Sequence, residues 1–137
     1  MKILLVACAM TLSACAMSNR EPPPKPFAGT RWDVVLDLPI PGEQPNFRFG
    51  DGRLEGFGGC NRVNAMYVQD SVGARAIALR RIESGTKGCD PALKAVEGRV
   101  LSVLQSVSSY SITGDVMTMS GSAGTLVLRA HPGEVKR

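Results

Sequence analysis

The sequence is 137 residues long, enough for one domain at most. Its 16 lysines and arginines against 12 aspartates and glutamates give a formal charge of +4. No run of five basic residues occurs and Arg80-Arg81 is the densest basic step, so a nucleic-acid-binding stripe is excluded.

The first fourteen residues, MKILLVACAMTLSA, have Lys2, then an apolar run from Ile3 to Leu12, then small residues. This order predicts a secretory signal over 1–14, too short for a membrane span. Removing it with Lys2 takes the formal charge from +4 to +3. Leu12-Ser13-Ala14-Cys15 resembles a bacterial lipobox, which implies acylation of Cys15. The alternatives are an ordinary signal cut nearby, leaving Cys15 a thiol, and modification of Cys8, which has only five apolar or small residues between it and Lys2. Ala16 after the cysteine resembles the outer-membrane destination of Gram-negative lipoproteins, with the chain facing the periplasm. Residues 15–28 contain Pro22, Pro23, Pro24 and Pro26 and no apolar period, so they read as an extended tether. The thirteen residues 16–28, fully extended, reach about 40 Å.

From position 29 the pattern turns to period two. Trp32, Val34 and Leu36 alternate with Asp33 and Asp37, and Phe47 and Phe49 share a face. Asp51-Gly52 is a two-residue hairpin turn, and Leu54 resumes the apolar phase. Val63, Ala65 and Tyr67 alternate next. In RAIALRRIE, Ile77 and Leu79 fall out of phase with Ile82, so the inner face is not defined. Two short strands meet at Gly114-Asp115, and Leu126 and Leu128 mark a last one. Eight strands with short connections predict an antiparallel sheet or small barrel.

One segment breaks this rhythm. Between 90 and 107, apolar residues at Leu93, Val96, Val100, Val103, Leu104 and Val107 step by three and four, which predicts an amphipathic helix. Asp90 suits an N-cap and Pro91 the first helical position. Gly98 inside it costs about 1 kcal/mol against Ala. The expected fold class is therefore mainly β (α+β): a curled sheet or open barrel with one helix packed against it over residues 29–130, then a flexible tail over 131–137.

Cys60 follows a run of glycines, Gly56, Gly58 and Gly59, which permit a sharp bend. With Cys8 removed and Cys15 acylated, Cys60 and Cys89 allow one pairing in an oxidising compartment. Closing their loop of about 29 residues stabilises by roughly 3–4 kcal/mol; two buried thiols are the alternative. A nucleophilic Cys60 needs a base, and the one histidine, His131, lies close to the C-terminus. Two cysteines and that histidine do not make a zinc set. No metal, cofactor or catalytic residue is expected. The serines of ESGTKG and SGSAGT have no base beside them, and Asp51, Asp90 and Glu55 read as turn, cap and solvated strand face.

GTRWDVV, FRFGDGRLEGFGGCNRVNAMY and the stretch from TKGCDPALKAVEGRV to GTLVLRA together resemble a META domain of the HslJ-like kind, over residues 29–130. The pieces that carry the resemblance are Gly59-Cys60-Asn61, Tyr67 six residues on, Cys89, the helix and the closing hairpin. Ala65 stands where the family commonly has glycine, and Lys87 replaces a methionine near the second cysteine. The resemblance implies a small β-rich exported domain with no established reaction, associated with heat shock and novobiocin resistance.

The expected function is a non-catalytic envelope lipoprotein in stress tolerance, held to the membrane by its lipid and binding an envelope protein or polymer. The alternative is a binding module for a small hydrophobic ligand, with Trp32, Phe47, Met66 and Tyr67 lining a pocket.

Overall fold

A computed structural model describes residues 21–69 and 75–133. The expected signal over 1–14, Cys8, Cys15, the first part of the tether and residues 134–137 lie outside the described residues.

Eight antiparallel strands form one curled sheet: β1 (Arg31–Val34), β2 (Asn46–Gly50), β3 (Arg53–Phe57), β4 (Arg62–Gln69), β5 (Ile77–Ser84), β6 (Val107–Thr113), β7 (Val116–Gly121) and β8 (Gly124–Ala130). A single helix, α1 (Pro91–Ser106), connects β5 to β6. The strand order is β5-β4-β3-β2-β1-β8-β7-β6. Strand β1 thus joins two consecutive-strand meanders, pairing with β2 on one side and β8 on the other.

The turns follow from their residues. Asp51 and Gly52 both have positive φ (52° and 75°) between β2 and β3, the hairpin geometry expected of Asp-Gly. Gly114 takes φ 59° between β6 and β7. In β5 the apolar phase shifts because the ladder with β4 is interrupted between Asn64 and Met66. Arg81 sits at the interruption with φ 51°. This bulge places two residues against one on the partner strand and resets the alternation. Ile77 and Leu79 before it and Ile82 after it therefore all contribute to the core.

The sheet curls until its edge strands approach. Ala76 and Ser109 form an isolated antiparallel bridge between the edges. The Tyr110 N–H donates to the Arg75 carbonyl at 3.0 Å. Helix α1 packs on β5, β7 and β8 and covers the remaining opening. Its Asp90 cap accepts the Ala92 N–H at 2.9 Å. Val107, read from the sequence as the last apolar position of the helix, is instead the first residue of β6.

Inward residues fill the interior: Trp32, Phe47, Phe49, Leu54, Leu104, Met117, Met119 and Leu128 are fully buried. Burial of such side chains contributes about 1.5–3 kcal/mol each, so this interior is the main support of the fold.

Candidate functional site

The glycine–cysteine stretch forms the turn from β3 to β4. The Gly58 N–H donates to the Asn61 carbonyl at 2.9 Å and closes it. A Cβ on Gly58 would stand 2.9 Å from Glu97 Oε2, and Gly59 has φ 121° directly against α1. The glycines therefore let the turn touch the helix, a close approach that only residues without a side chain allow.

At that contact Glu97, buried on the sheet-facing side of α1, acts as a clamp. Its Oε2 accepts the backbone N–H of Cys60 at 2.9 Å and of Asn61 at 2.6 Å. Its Oε1 accepts from Asn61 Nδ2 at 3.3 Å. Asn61 Oδ1 in turn accepts the Lys87 N–H at 2.9 Å. Gly85 packs so tightly on this side chain that a Cβ would lie 2.9 Å from Asn61 Oδ1. The disulfide Cys60–Cys89 completes the knot, with Cα atoms 5.9 Å apart. Three separate segments, the β3–β4 turn, the 85–89 loop and α1, are thus tied at one point. Both oxygens of Glu97 are occupied by N–H donors of the chain, so its chemistry here is to hold backbone.

The second motif residue, Tyr67, lies apart from that knot. Its ring meets Phe49 edge-on at 5.5 Å and Phe27 edge-on at 5.5 Å. Phe27 also lies 4.3 Å from the Phe49 ring and 4.8 Å from Tyr110. This cluster closes one end of the curled sheet. Residues 25–28, read from the sequence as tether, are part of it. The Lys25 N–H donates to the Gly114 carbonyl at 2.7 Å and the Gly29 N–H to Phe49 at 2.8 Å. The Trp32 indole N–H donates to the Phe27 carbonyl at 3.2 Å.

The four residues considered for an apolar pocket do not line one surface. Trp32 and Phe47 are wholly buried in the core, whereas Met66 is 46% exposed on the opposite face of the sheet. His131, read from the sequence as the start of the tail, is held: Nδ1 lies 2.5 Å from Asp33 Oδ2. The His131 backbone N–H also donates to the Arg31 carbonyl at 2.9 Å. Cys60 is bound instead to Cys89. Among the described residues, no three of His, Cys, Asp and Glu come together as metal ligands.

Sequence reasoning missed Glu97 and Phe27. The signal for Glu97 was its place in the helical stripe, four residues after Leu93 and three before Val100. A charged residue there is buried with partners or not at all.

A half-barrel of consecutive antiparallel strands, stapled to one covering helix through a Gly-Cys-Asn turn, defines a class of small mainly-β domains. The META domain family matches residues 26–133, and the chain belongs to it. No curated protein matches the chain. Three solved structures share the fold. One, determined by NMR, is a protein from Burkholderia xenovorans, 16% identical, with a TM-score of 0.60 over 77% of this chain and 84% of that one. Another is the crystal structure of a DUF4847 family protein from Bacteroides vulgatus, 13% identical, with a TM-score of 0.55 over 77% of this chain and 94% of that one.

Proposed function

We propose that the protein is a lipoprotein, acylated at Cys15 and anchored in the outer membrane facing the periplasm. Its META domain catalyses no reaction and serves envelope stress tolerance by holding an envelope protein or polymer. The observation that carries the reading is the Cys60–Cys89 disulfide downstream of Leu12-Ser13-Ala14-Cys15 and a proline run. Persistent disulfides belong to oxidising compartments, and a lipobox followed by a Pro-rich stretch is how a domain is exported and hung from a lipid. The tie of Glu97 and Asn61 into backbone holding, described above, supports a scaffold role. The HslJ-like resemblance supports heat and novobiocin as the stresses.

Fractionation of membranes from cells making the wild type or Cys15→Ala tests the anchor. Wild type goes to the outer membrane with an acyl increment in its intact mass, and Cys15→Ala loses both. Crosslinking in intact cells, with a deletion strain challenged by heat and novobiocin, tests the role. A deletion strain indifferent to both stresses, with no crosslinked partner, removes the stress reading.

A further inference from the structure

The outer face of strands β3, β4 and β5 carries charge that the fold does not use. In register, Arg53, Met66 and Arg80 lie side by side across the three strands. The neighbouring row along the same strands is Glu55, Asn64 and Glu83, with the exposed Arg48 of β2 in register beside Glu55. The bulge adds a further cation: Arg81, at φ 51°, lines an open concavity of about 250 Å³ with Arg53, Glu55, Asn64, Met66 and Glu83. Among the described residues, none of Arg53, Arg80, Arg81, Glu55 and Glu83 has an ion-pair partner. Met66 is 46% exposed, and Val68, the next outward position on β4, is 55% exposed.

We propose that this face docks a phospholipid headgroup carrying both a phosphate and a primary ammonium, as in phosphatidylethanolamine. The phosphate sits on Arg53, Arg80 and Arg81, whose guanidinium forks suit paired oxygens. The ammonium sits by Glu55 and Glu83, one row away, a step of roughly 7 Å along an antiparallel strand. Long arginine and glutamate side chains close that step onto two groups joined by an ethylene link. Met66 and Val68 meet the apolar boundary below the headgroup. The charge pattern selects among lipids. A purely anionic headgroup would meet the two glutamates, and a quaternary ammonium has no N–H to give them. Nothing in this inference needs the lipid anchor.

The test uses the chain beginning at position 15 with Cys15→Ser, made under oxidising conditions. It keeps the core and both sulfurs of the disulfide, all of which lie between residues 30 and 130. Co-sedimentation is measured with vesicles of phosphatidylcholine alone, or mixed equally with phosphatidylethanolamine or phosphatidylglycerol. The expected result is binding at least five-fold stronger to the phosphatidylethanolamine mixture than to either other vesicle. Arg53→Ser and Arg81→Asn each lower it about five-fold; asparagine is chosen because it tolerates positive φ. Glu55→Gln with Glu83→Gln reverses the preference toward phosphatidylglycerol. Near-UV circular dichroism identical to the parent shows that each variant is folded. Equal binding to all three vesicles overturns the proposal, as does a preference of the parent for phosphatidylglycerol, which would mark a plain basic patch. Failure of Cys15 acylation in cells would leave this result standing.

Discussion

Glu97 of the helix accepts the Asn61 N–H at 2.6 Å on the same carboxylate oxygen that accepts the Cys60 N–H at 2.9 Å. The two donors are consecutive backbone groups of a turn that cannot pair with a neighbouring strand. A buried N–H without an acceptor is costly, so the turn can lie against the helix only because an acidic side chain projects there. The glycines before it remove the side chains that would keep the two apart.

Replacing Glu97 with alanine leaves both N–H groups buried and unpaired. Each costs about 1–3 kcal/mol, so Glu97→Ala is expected to lose roughly 3 kcal/mol. Glu97→Gln keeps one acceptor oxygen but turns its amide N–H₂ toward Asn61 Nδ2, and is expected to lose about half as much. Urea denaturation midpoints of the three proteins check this. A Glu97→Ala protein as stable as wild type would show that the clamp does not contribute.

The disulfide encloses 29 residues of sequence separation. Loop closure of that size contributes about 3.5 kcal/mol. Cys60→Ala with Cys89→Ala is expected to lose that amount, seen as a lowered midpoint that reductant does not lower further. The wild type should fall to the same midpoint when reduced. Because Cys60 also donates its N–H to Glu97, the combined triple variant should lose less than the two changes added separately.

These residues also show what was legible in advance. The Asp51-Gly52 turn, the eight-strand rhythm, the Asp90 cap and the pairing of Cys60 with Cys89 are local or countable, and the sequence displays them. Glu97 was hidden because its burial depends on donors from residues 60 and 61, brought by the sheet. The phase break in β5 was visible as a conflict between Leu79 and Ile82. Its cause was not, since a bulge at Arg81 requires positive φ from a residue that rarely adopts it. Phe27 looked like part of a proline-rich linker, because a single aromatic residue has no period. Its partners Phe49, Tyr67 and Tyr110 come from three different strands.

Two glycines near the helix should respond oppositely to alanine. At Gly98 an added Cβ meets nothing within 4 Å, and the residue lies inside α1. Gly98→Ala is expected to stabilise by about 0.5–1 kcal/mol. At Gly121 the Cβ would lie 2.3 Å from the Ser106 carbonyl oxygen, which is backbone and cannot swing aside. Gly121→Ala is expected to destabilise by about 1–3 kcal/mol. Thermal melts of both variants decide; the same sign at both positions would contradict the packing described.

The docking of Phe27 makes a separate claim about where the folded body begins. Its ring is half-buried against three aromatic rings, so truncation should cost less than the 3–5 kcal/mol of a full core phenylalanine, about 2 kcal/mol. The effect should also be localised. In Phe27→Ala the amides of Lys25 and Gly29, which donate to Gly114 and Phe49, should exchange with solvent faster by an order of magnitude or more. Amides of β3 and β4 near the disulfide should keep their relative protection, because the Glu97 clamp and Cys60–Cys89 hold that end independently. Hydrogen exchange followed residue by residue measures both. Unchanged protection at Gly29 would mean that the sheet end is closed without Phe27. Uniform loss across β3 and β4 would mean that the two ends of the sheet open together.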